Sequence, residues 1–391
     1  MSDPSGVVQV AGQQTLNLRI EVRVLAPERG GAEGAPSLPS LPVSDLPIPL
    51  PPARGPYDAV LVVSFGGPER PEDLMPFLER VTMGRASPEK LEEVAAHYRH
   101  FGGISPINDQ VRELLGALQA ELAARGVSVP LYWGNRNWDP LLGDTLSQMS
   151  EAGVRRAVAI ATSAFSSYSG CRQYWGDIEA AVAAVRGAPL VDKIPPFWDQ
   201  EAFVAAVAEG VSETLAGMPE GLGANCELVF SAHSIPLFMA EASEYQSQLR
   251  QAAAEVTARV SRGRKIPWSL VFQSRSGPPS QQWLEPDISD YIATVASRRG
   301  DDGAPRAVVV VPIGFVSDHM EVLYDLDIEA AAAAADAGIA MVRAPTVGSR
   351  SVFVRGLVDL LVAALEGRAG PEGIFGPQQL CGVGCCGRGG R

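Results

Sequence analysis

Short β-branched runs recur along most of the chain, at 59–64, 130–134, 157–161, 227–231, 269–273, 307–312 and 340–342, each separated from the next by a long stretch rich in Ala, Leu and Glu. The spacing is too wide for hairpins and wide enough for a crossover helix, so it predicts an open, mostly parallel α/β sheet. The runs fall into two sets around Lys193-Ile194-Pro195-Pro196. The expected fold is therefore α/β, with two similar Rossmann-like domains and a cleft between them as the ligand site.

Four segments follow. Residues 1–56 form an extension in which Leu16, Leu18, Ile20, Val22 and Val24 alternate with polar residues like a half-buried strand of unassigned role. It ends in a proline-dense linker, from Pro36 to Pro56, that cannot sustain a helix. Residues 57–196 and 197–370 are the two domains, and 371–391 are a cysteine-bearing tail.

Acidic residues outnumber basic ones, 45 to 32, for a net charge of −13. No Lys/Arg run stands out, which argues against nucleic acid as a partner. No window approaches the roughly 18 apolar residues of a membrane helix, and Met1-Ser2-Asp3-Pro4 is unlike a signal peptide, so a cytosolic protein with at most peripheral membrane contact is expected. Five cysteines cannot all pair. Cys381, Cys385 and Cys386 crowd the last residues, and in a reducing compartment such a cluster points to metal before disulfides.

Open α/β sheets place ligands at the carboxyl ends of their strands. Here those ends read Ser64-Phe65-Gly66-Gly67-Pro68-Glu69, Gly134-Asn135-Arg136-Asn137, Thr162-Ser163-Ala164-Phe165, Ser231-Ala232-His233-Ser234, Gln273-Ser274-Arg275-Ser276 and Gly314-Phe315-Val316-Ser317-Asp318-His319. Gly66-Gly67 lacks the third glycine of a dinucleotide fingerprint, and no phosphate-loop Gly-Lys-Ser/Thr occurs. His233 closes an apolar strand, where an imidazole suits proton transfer, though a capping histidine satisfies the same pattern. Asp318, Glu321 and Asp325 are spaced three and four apart where a strand gives way to a helix, so their carboxylates are expected to stack along one face. Such oxygen donors suit a divalent metal in transit, and a solvated helix face is the plainer alternative.

Four stretches carry a resemblance: Ser64–Glu69, His-Phe-Gly-Gly-Ile-Ser-Pro-Ile at 100–107, Ser-Ala-His-Ser-Ile-Pro at 231–236, and Val-Pro-Ile-Gly-Phe-Val-Ser-Asp-His-Met-Glu at 311–321. In these motifs and their order the chain resembles ferrochelatases from about Tyr57 onward. The resemblance implies chelatase-type domains and insertion of Fe²⁺ as substrate into a porphyrin in the cleft, in haem biosynthesis. It places His233 and Glu321 across the bound macrocycle from one another, as proton acceptor or iron contact and its partner. Asp318 and Asp325 become a path for protons or metal, Ser105 lies against a propionate, and Tyr174 and Arg136 touch the porphyrin. Read from the residues alone, Ser105 is equally a turn serine, Arg136 a surface ion pair and Tyr174 a core aromatic.

The resemblance is to the soluble, iron–sulfur-bearing bacterial group. It implies coproporphyrin III over protoporphyrin IX, a preference matched by charges interrupting every apolar run in 87–100. It also implies a [2Fe–2S] cluster on Cys171, Cys381, Cys385 and Cys386, against a structural zinc site or an oxidisable tail, and haem-pathway enzymes as candidate partners. Soluble bacterial coproporphyrin enzymes often carry a tyrosine where this chain has Phe65, so no axial phenolate is available there. The other readings weighed are a protoporphyrin IX enzyme, a cobalt or nickel chelatase, and a two-lobed tetrapyrrole carrier without a paired base and acid.

Overall fold

The computed structural model describes residues 57–277, 280–298 and 304–367. The alternating strand expected at 15–24, the proline-rich linker and the tail cysteines Cys381, Cys385 and Cys386 lie outside the described residues.

The first half runs β1 (Ala59–Ser64), α1 (Leu74–Val81), α2 (Pro88–His100), α3 (Ile107–Ala124), β2 (Leu131–Asn135), α4 (Leu142–Glu151), β3 (Arg156–Ala161), α5 (Gln173–Ala184) and β4 (Leu190–Lys193). The second runs α6 (Glu201–Gly217), β5 (Cys226–His233), α7 (Leu237–Glu241), α8 (Tyr245–Ser261), β6 (Trp268–Gln273), α9 (Ile288–Ser297), β7 (Ala307–Val311), α10 (Met320–Val322), α11 (Ala331–Asp336), β8 (Ala340–Arg343) and α12 (Ser351–Leu365). Two π-helical turns interrupt this pattern, Tyr168–Arg172 before α5 and Leu323–Ala330 between α10 and α11.

All seven sequence-predicted runs are strands. They form two parallel four-stranded sheets of matching order, β2-β1-β3-β4 and β6-β5-β7-β8. The eighth strand, β4, goes unmarked in the sequence; only its last residue, Lys193, falls in the expected break between halves. It has only four residues, at the sheet edge, and Asp192 and Lys193 within it mask the apolar signal.

Every residue of β1 and β7 is buried, as parallel strands covered on both faces require. One apolar core extends through both halves: Val60 and Val62 of β1, Leu118 and Leu122 of α3, Phe230 of β5 and Leu361 of α12 belong to it. The last helix among the described residues, α12, packs on both α3 and α6, tying the second half to the first. Arg125, just past α3, pairs with Asp359 and donates to the Arg355 carbonyl at 3.3 Å. The cleft between the sheets thus has a closed apolar back.

Gly356 of α12 sits where a Cβ would lie 2.2 Å from Cβ of Ala202 on α6. Gly356→Ala is expected to force those helices apart and destabilise by about 1–3 kcal/mol, the usual cost of overpacking. Denaturant melts compared with the parent check this, and an unchanged midpoint would show that the seam is looser than described.

Candidate active site

Ser105, Arg136, Tyr174, His233 and Glu321 line a single cavity between the two halves. Its walls are strand ends, as the sequence predicts: Phe65 and Gly66 after β1, Arg136 after β2, Thr162 and Phe165 after β3, His233 and Ser234 at the end of β5, and Gly314 to Ser317 after β7. Sheet register brings them to one level, because Ser64 pairs with Asn135 and Phe230 with Val311.

The first-half wall is apolar with one buried cation. Arg136 keeps only 7% of its side chain exposed; its Nε donates to Asp177, and its guanidinium carbon lies 4.5 Å from the Tyr174 ring centroid and 5.7 Å from that of Phe65. The ion pair expected as an alternative is therefore present, but at the cavity wall. Tyr174 is both a core aromatic and part of that wall. Ser105 is a buried turn serine whose Oγ accepts from the Ile107 N–H at 3.5 Å where α3 opens, and it borders the cavity.

The second-half wall holds the ionisable groups. His233 Nε2 lies 3.6 Å from Glu321 Oε2, with 25% and 24% of the two side chains exposed. Its Nδ1 is 2.5 Å from the Ser234 carbonyl, which can only accept, so Nδ1 carries a proton and Nε2 is the nitrogen turned to Glu321. Tyr245 Oη donates to the His233 carbonyl at 3.1 Å. Burial alone would lower the His233 pKa, but the Glu321 carboxylate, its hydrogen bond, the Ser234 carbonyl and Asp325 raise it instead. Glu321 is correspondingly held low: burial pushes it up, and the charges of His233 and His319 prevail. The resting pair is thus imidazolium and carboxylate.

That separation corrects one implication of the resemblance. A macrocycle between two side chains needs roughly 7 Å between the flanking heavy atoms, twice the optimal contact distance. At 3.6 Å His233 and Glu321 share one wall of the cavity and cannot face each other across the ring.

The expected acidic stripe is corrected as well. Met320–Val322 is a single α-helical turn and Leu323–Ala330 is π-helical, so three-and-four spacing does not align Asp318, Glu321 and Asp325. Asp318 precedes the helix. Its N–H donates to Gln110 of α3 at 2.8 Å, and its carboxylate receives Arg343 at 3.2 and 3.3 Å, the same guanidinium that binds Asp327 at 2.6 and 2.9 Å. Asp325 instead lies behind Glu321 and accepts from Ser274 Oγ and, at 3.5 Å, Gln273 Nε2. Burial raises its pKa well above the carboxylate range, with Glu321 and Glu329 adding to the rise against the Ser274 bond. Glu329 is pushed up to about 7, by burial and by Asp287. Among the described residues no three His, Cys, Asp or Glu side chains form a metal-holding group.

Sequence reasoning missed His319, whose Nδ1 caps the turn by accepting from the Glu321 N–H at 3.2 Å, and Trp283, Tyr98 and Tyr245 of the lining. His319 stood inside a quoted motif; the aromatics carried no signal apart from core residues. The cavity also depends on Gly314, where a Cβ would come 2.7 Å from Cβ of Ala232, next to His233.

The family profile described as ferrochelatase matches residues 57–365. The chain belongs to the ferrochelatase family. It is 48% identical over 355 residues to the coproporphyrin III ferrochelatase of Streptomyces griseus, covering 85% of this chain and 93% of that protein. Identity is also 48% to the coproporphyrin III ferrochelatase of Mycolicibacterium smegmatis (83% and 94% covered) and 47% to the ferrochelatase of Rhodopirellula baltica (83% and 93%). The chain is accordingly a metal chelatase, and the paired imidazole and carboxylate sit in a ferrochelatase cleft.

In this ferrochelatase the imidazole of His233 is expected to stay protonated through neutral pH, losing its proton only well above the reference value of about 6.5. In Glu321→Gln burial persists without the carboxylate, so the pKa should fall below that reference. Imidazole ¹⁵N shifts followed against pH read both; a neutral His233 at pH 7 in the parent protein would contradict the pair.

Proposed function

We propose that this chain inserts ferrous iron into coproporphyrin III in haem biosynthesis, with His233 and Glu321 as the groups that take up the pyrrole protons. The carrying observation is the His233–Glu321 pair, with Nδ1 occupied by the Ser234 carbonyl and Nε2 at the cavity. Metallation exchanges two pyrrole N–H protons for Fe²⁺, so the macrocycle's charge is unchanged and two protons must leave. The resting pair already holds one. His233 therefore first passes its Nε2 proton to Glu321 and, now neutral, takes one pyrrole proton at that nitrogen; Glu321 releases the proton it received toward Asp325 and Glu329, carboxyls whose pKa values burial raises, and the second pyrrole proton follows the same route. Asp318, bound by Arg343, holds the helix entrance and takes no proton in this scheme.

Coproporphyrin is supported by the names of the Streptomyces and Mycolicibacterium relatives. It carries four propionates and can arrive from water, in keeping with α2, which buries Leu91, Val94, Ala95 and Tyr98 and turns its charged residues outward. Arg136 and Ser105 are the proposed propionate contacts, and Tyr174 stacks behind Arg136. Among the described residues no helix is long and apolar enough to cross a membrane; the reaction is assigned to the cytosol.

The [2Fe–2S] cluster remains part of this reading. It would be held by Cys171 and by Cys381, Cys385 and Cys386, the last three outside the described residues. Such a cluster supplies one-electron chemistry when bound. Cys171 fits the group: it is buried on the π-helical turn before α5, and its Sγ lies 3.8 Å from Nζ of Lys193, itself buried and donating to the Ile194 carbonyl at 3.0 Å. A buried amine donating toward the sulfur is the kind of partner that a negatively charged cluster on Cys171 calls for. Cys226, the other internal cysteine, instead points its thiol at the Gly223 carbonyl at 3.4 Å, and burial pushes its pKa up.

Anaerobic Fe²⁺ insertion followed by visible absorption is expected to show a higher kcat/KM for coproporphyrin III than for protoporphyrin IX, with and without detergent; the reverse order would reject the substrate. His233→Ala and Glu321→Gln should lose about 10²–10⁴ in turnover, the range for a positioned proton-transfer group, while still binding porphyrin. Near-parental rates in either variant would remove that residue from the reaction. For the cluster, purified protein should be red-brown with about two iron and two acid-labile sulfides per chain. Cys171→Ser should lose that spectrum. A colourless protein with stoichiometric zinc would reject the cluster, and a spectrum kept in full would move the fourth ligand to Cys226.

A further inference from the structure

Gln273 and Ser274 end β6 beside the junction of α10 and the π-helical turn. Gln273 is 1% exposed, and its Nε2 donates to the backbone carbonyl of Glu321 at 2.9 Å. A carbonyl can only accept, so the NH₂ end of the amide must face Glu321. Its Oε1, also buried, then accepts nothing among the described residues, an arrangement kept only if the donor end is needed where it is. Ser274 donates from Oγ to the same Asp325 oxygen that Gln273 approaches at 3.5 Å. It does so from φ = 57°, the left-handed region that residues with a Cβ avoid.

The sheet gives these contacts their meaning. Gln273 is the Cα partner of His233 in the β5–β6 pairing, and its carbonyl accepts the Ser234 N–H at 2.8 Å. One peptide neighbourhood therefore holds the backbone that carries the base and, through two side chains, the backbone and carboxylate of the acids opposite. The helix cannot set that register unaided. It begins as three α-helical residues capped by His319 and widens at once to π geometry, so its first turn lacks a continuous i→i−4 ladder.

We propose that Gln273 and Ser274 are positioning residues that transmit the sheet register of His233 to Glu321 and Asp325, fixing the base–acid separation used in iron insertion. This assignment rests on the reading of His233 and Glu321 given above. Neither residue is itself part of the cavity lining, so both act through the acids they hold.

The test uses the full-length protein with Gln273→Met, Ser274→Gly and Ser274→Asn. Gln273→Met keeps length and removes the donors; glycine suits the left-handed backbone but lacks the hydroxyl; asparagine tolerates that backbone and restores a donor. The expected result is a fall in kcat of about tenfold for Gln273→Met and Ser274→Gly, with KM for coproporphyrin within about twofold and Ser274→Asn recovering to within about threefold of the parent. Ser274→Gly should do this while melting no lower than the parent, which separates positioning from folding. Parental kcat in both Gln273→Met and Ser274→Gly would overturn the proposal. Crystal structures of those two variants judge it independently of turnover: the His233–Glu321 separation is expected to lengthen from 3.6 Å, and an unchanged separation in both would also overturn it. Failure of the parent protein to metallate any porphyrin would instead reject the iron-insertion reading, with the separation still deciding the positioning role.

Discussion

An imidazolium and a carboxylate 3.6 Å apart in a mostly apolar cleft are the constraint on which the site depends. Either charge alone would be costly there, because the surrounding side chains cannot replace its water. Together they are tolerated, and each shifts the other toward its charged form. The geometry that permits this comes from backbone groups: the Ser234 carbonyl takes Nδ1, Tyr245 holds the His233 carbonyl, and the Glu321 N–H is capped by His319. A proton pair of this kind is poised for exchange because its proton already lies between two acceptors.

The two halves repeat one strand order yet contribute unlike walls. The first presents Phe65, Tyr174 and the Arg136 cation, which in the proposed function receive a flat aromatic ring with acidic substituents. The second presents His233 and Glu321, backed by Asp325 and Glu329, whose carboxyl pKa values burial raises. Repetition of the fold fixes where strand ends meet; in the proposed reaction the residues at those ends divide the work of holding the ring and moving protons. The shared core under α12 joins the two halves at the back of the cavity.

The π-helical segment is the departure from regular structure that makes the second wall. An α-helix from Met320 onward would have turned Asp325 onto the face of Glu321 and put two carboxylates in repulsion. The wider turn separates their roles, Glu321 to His233 and Asp325 to Ser274 and Gln273. Ser274 holds a left-handed backbone, φ = 57°, while its hydroxyl donates to the Asp325 carboxylate.

The alternation of β-branched runs with helical stretches, set by chain chemistry alone, determined the parallel α/β class, the two halves and the placement of ligands at strand ends. Short-range motifs likewise marked His233, Glu321, Ser105 and Arg136; His233 and Arg136 also sit at strand ends whose apolar runs are readable in sequence, whereas Ser105 and Glu321 lie at the starts of helices and were marked by their motifs alone. What depended on residues distant in the chain was not readable. Arg343, on the last strand, claims Asp318 and breaks the expected acidic stripe; Gln273 reaches Glu321 across 48 positions; Lys193, hidden in an edge strand too short to recognise, meets Cys171. The 3.6 Å contact that puts base and acid on the same wall is likewise tertiary. Periodicity records which face of an element is buried, whereas the partner of a buried charge is chosen by sheet order and register, which bring distant residues together only after the chain has folded.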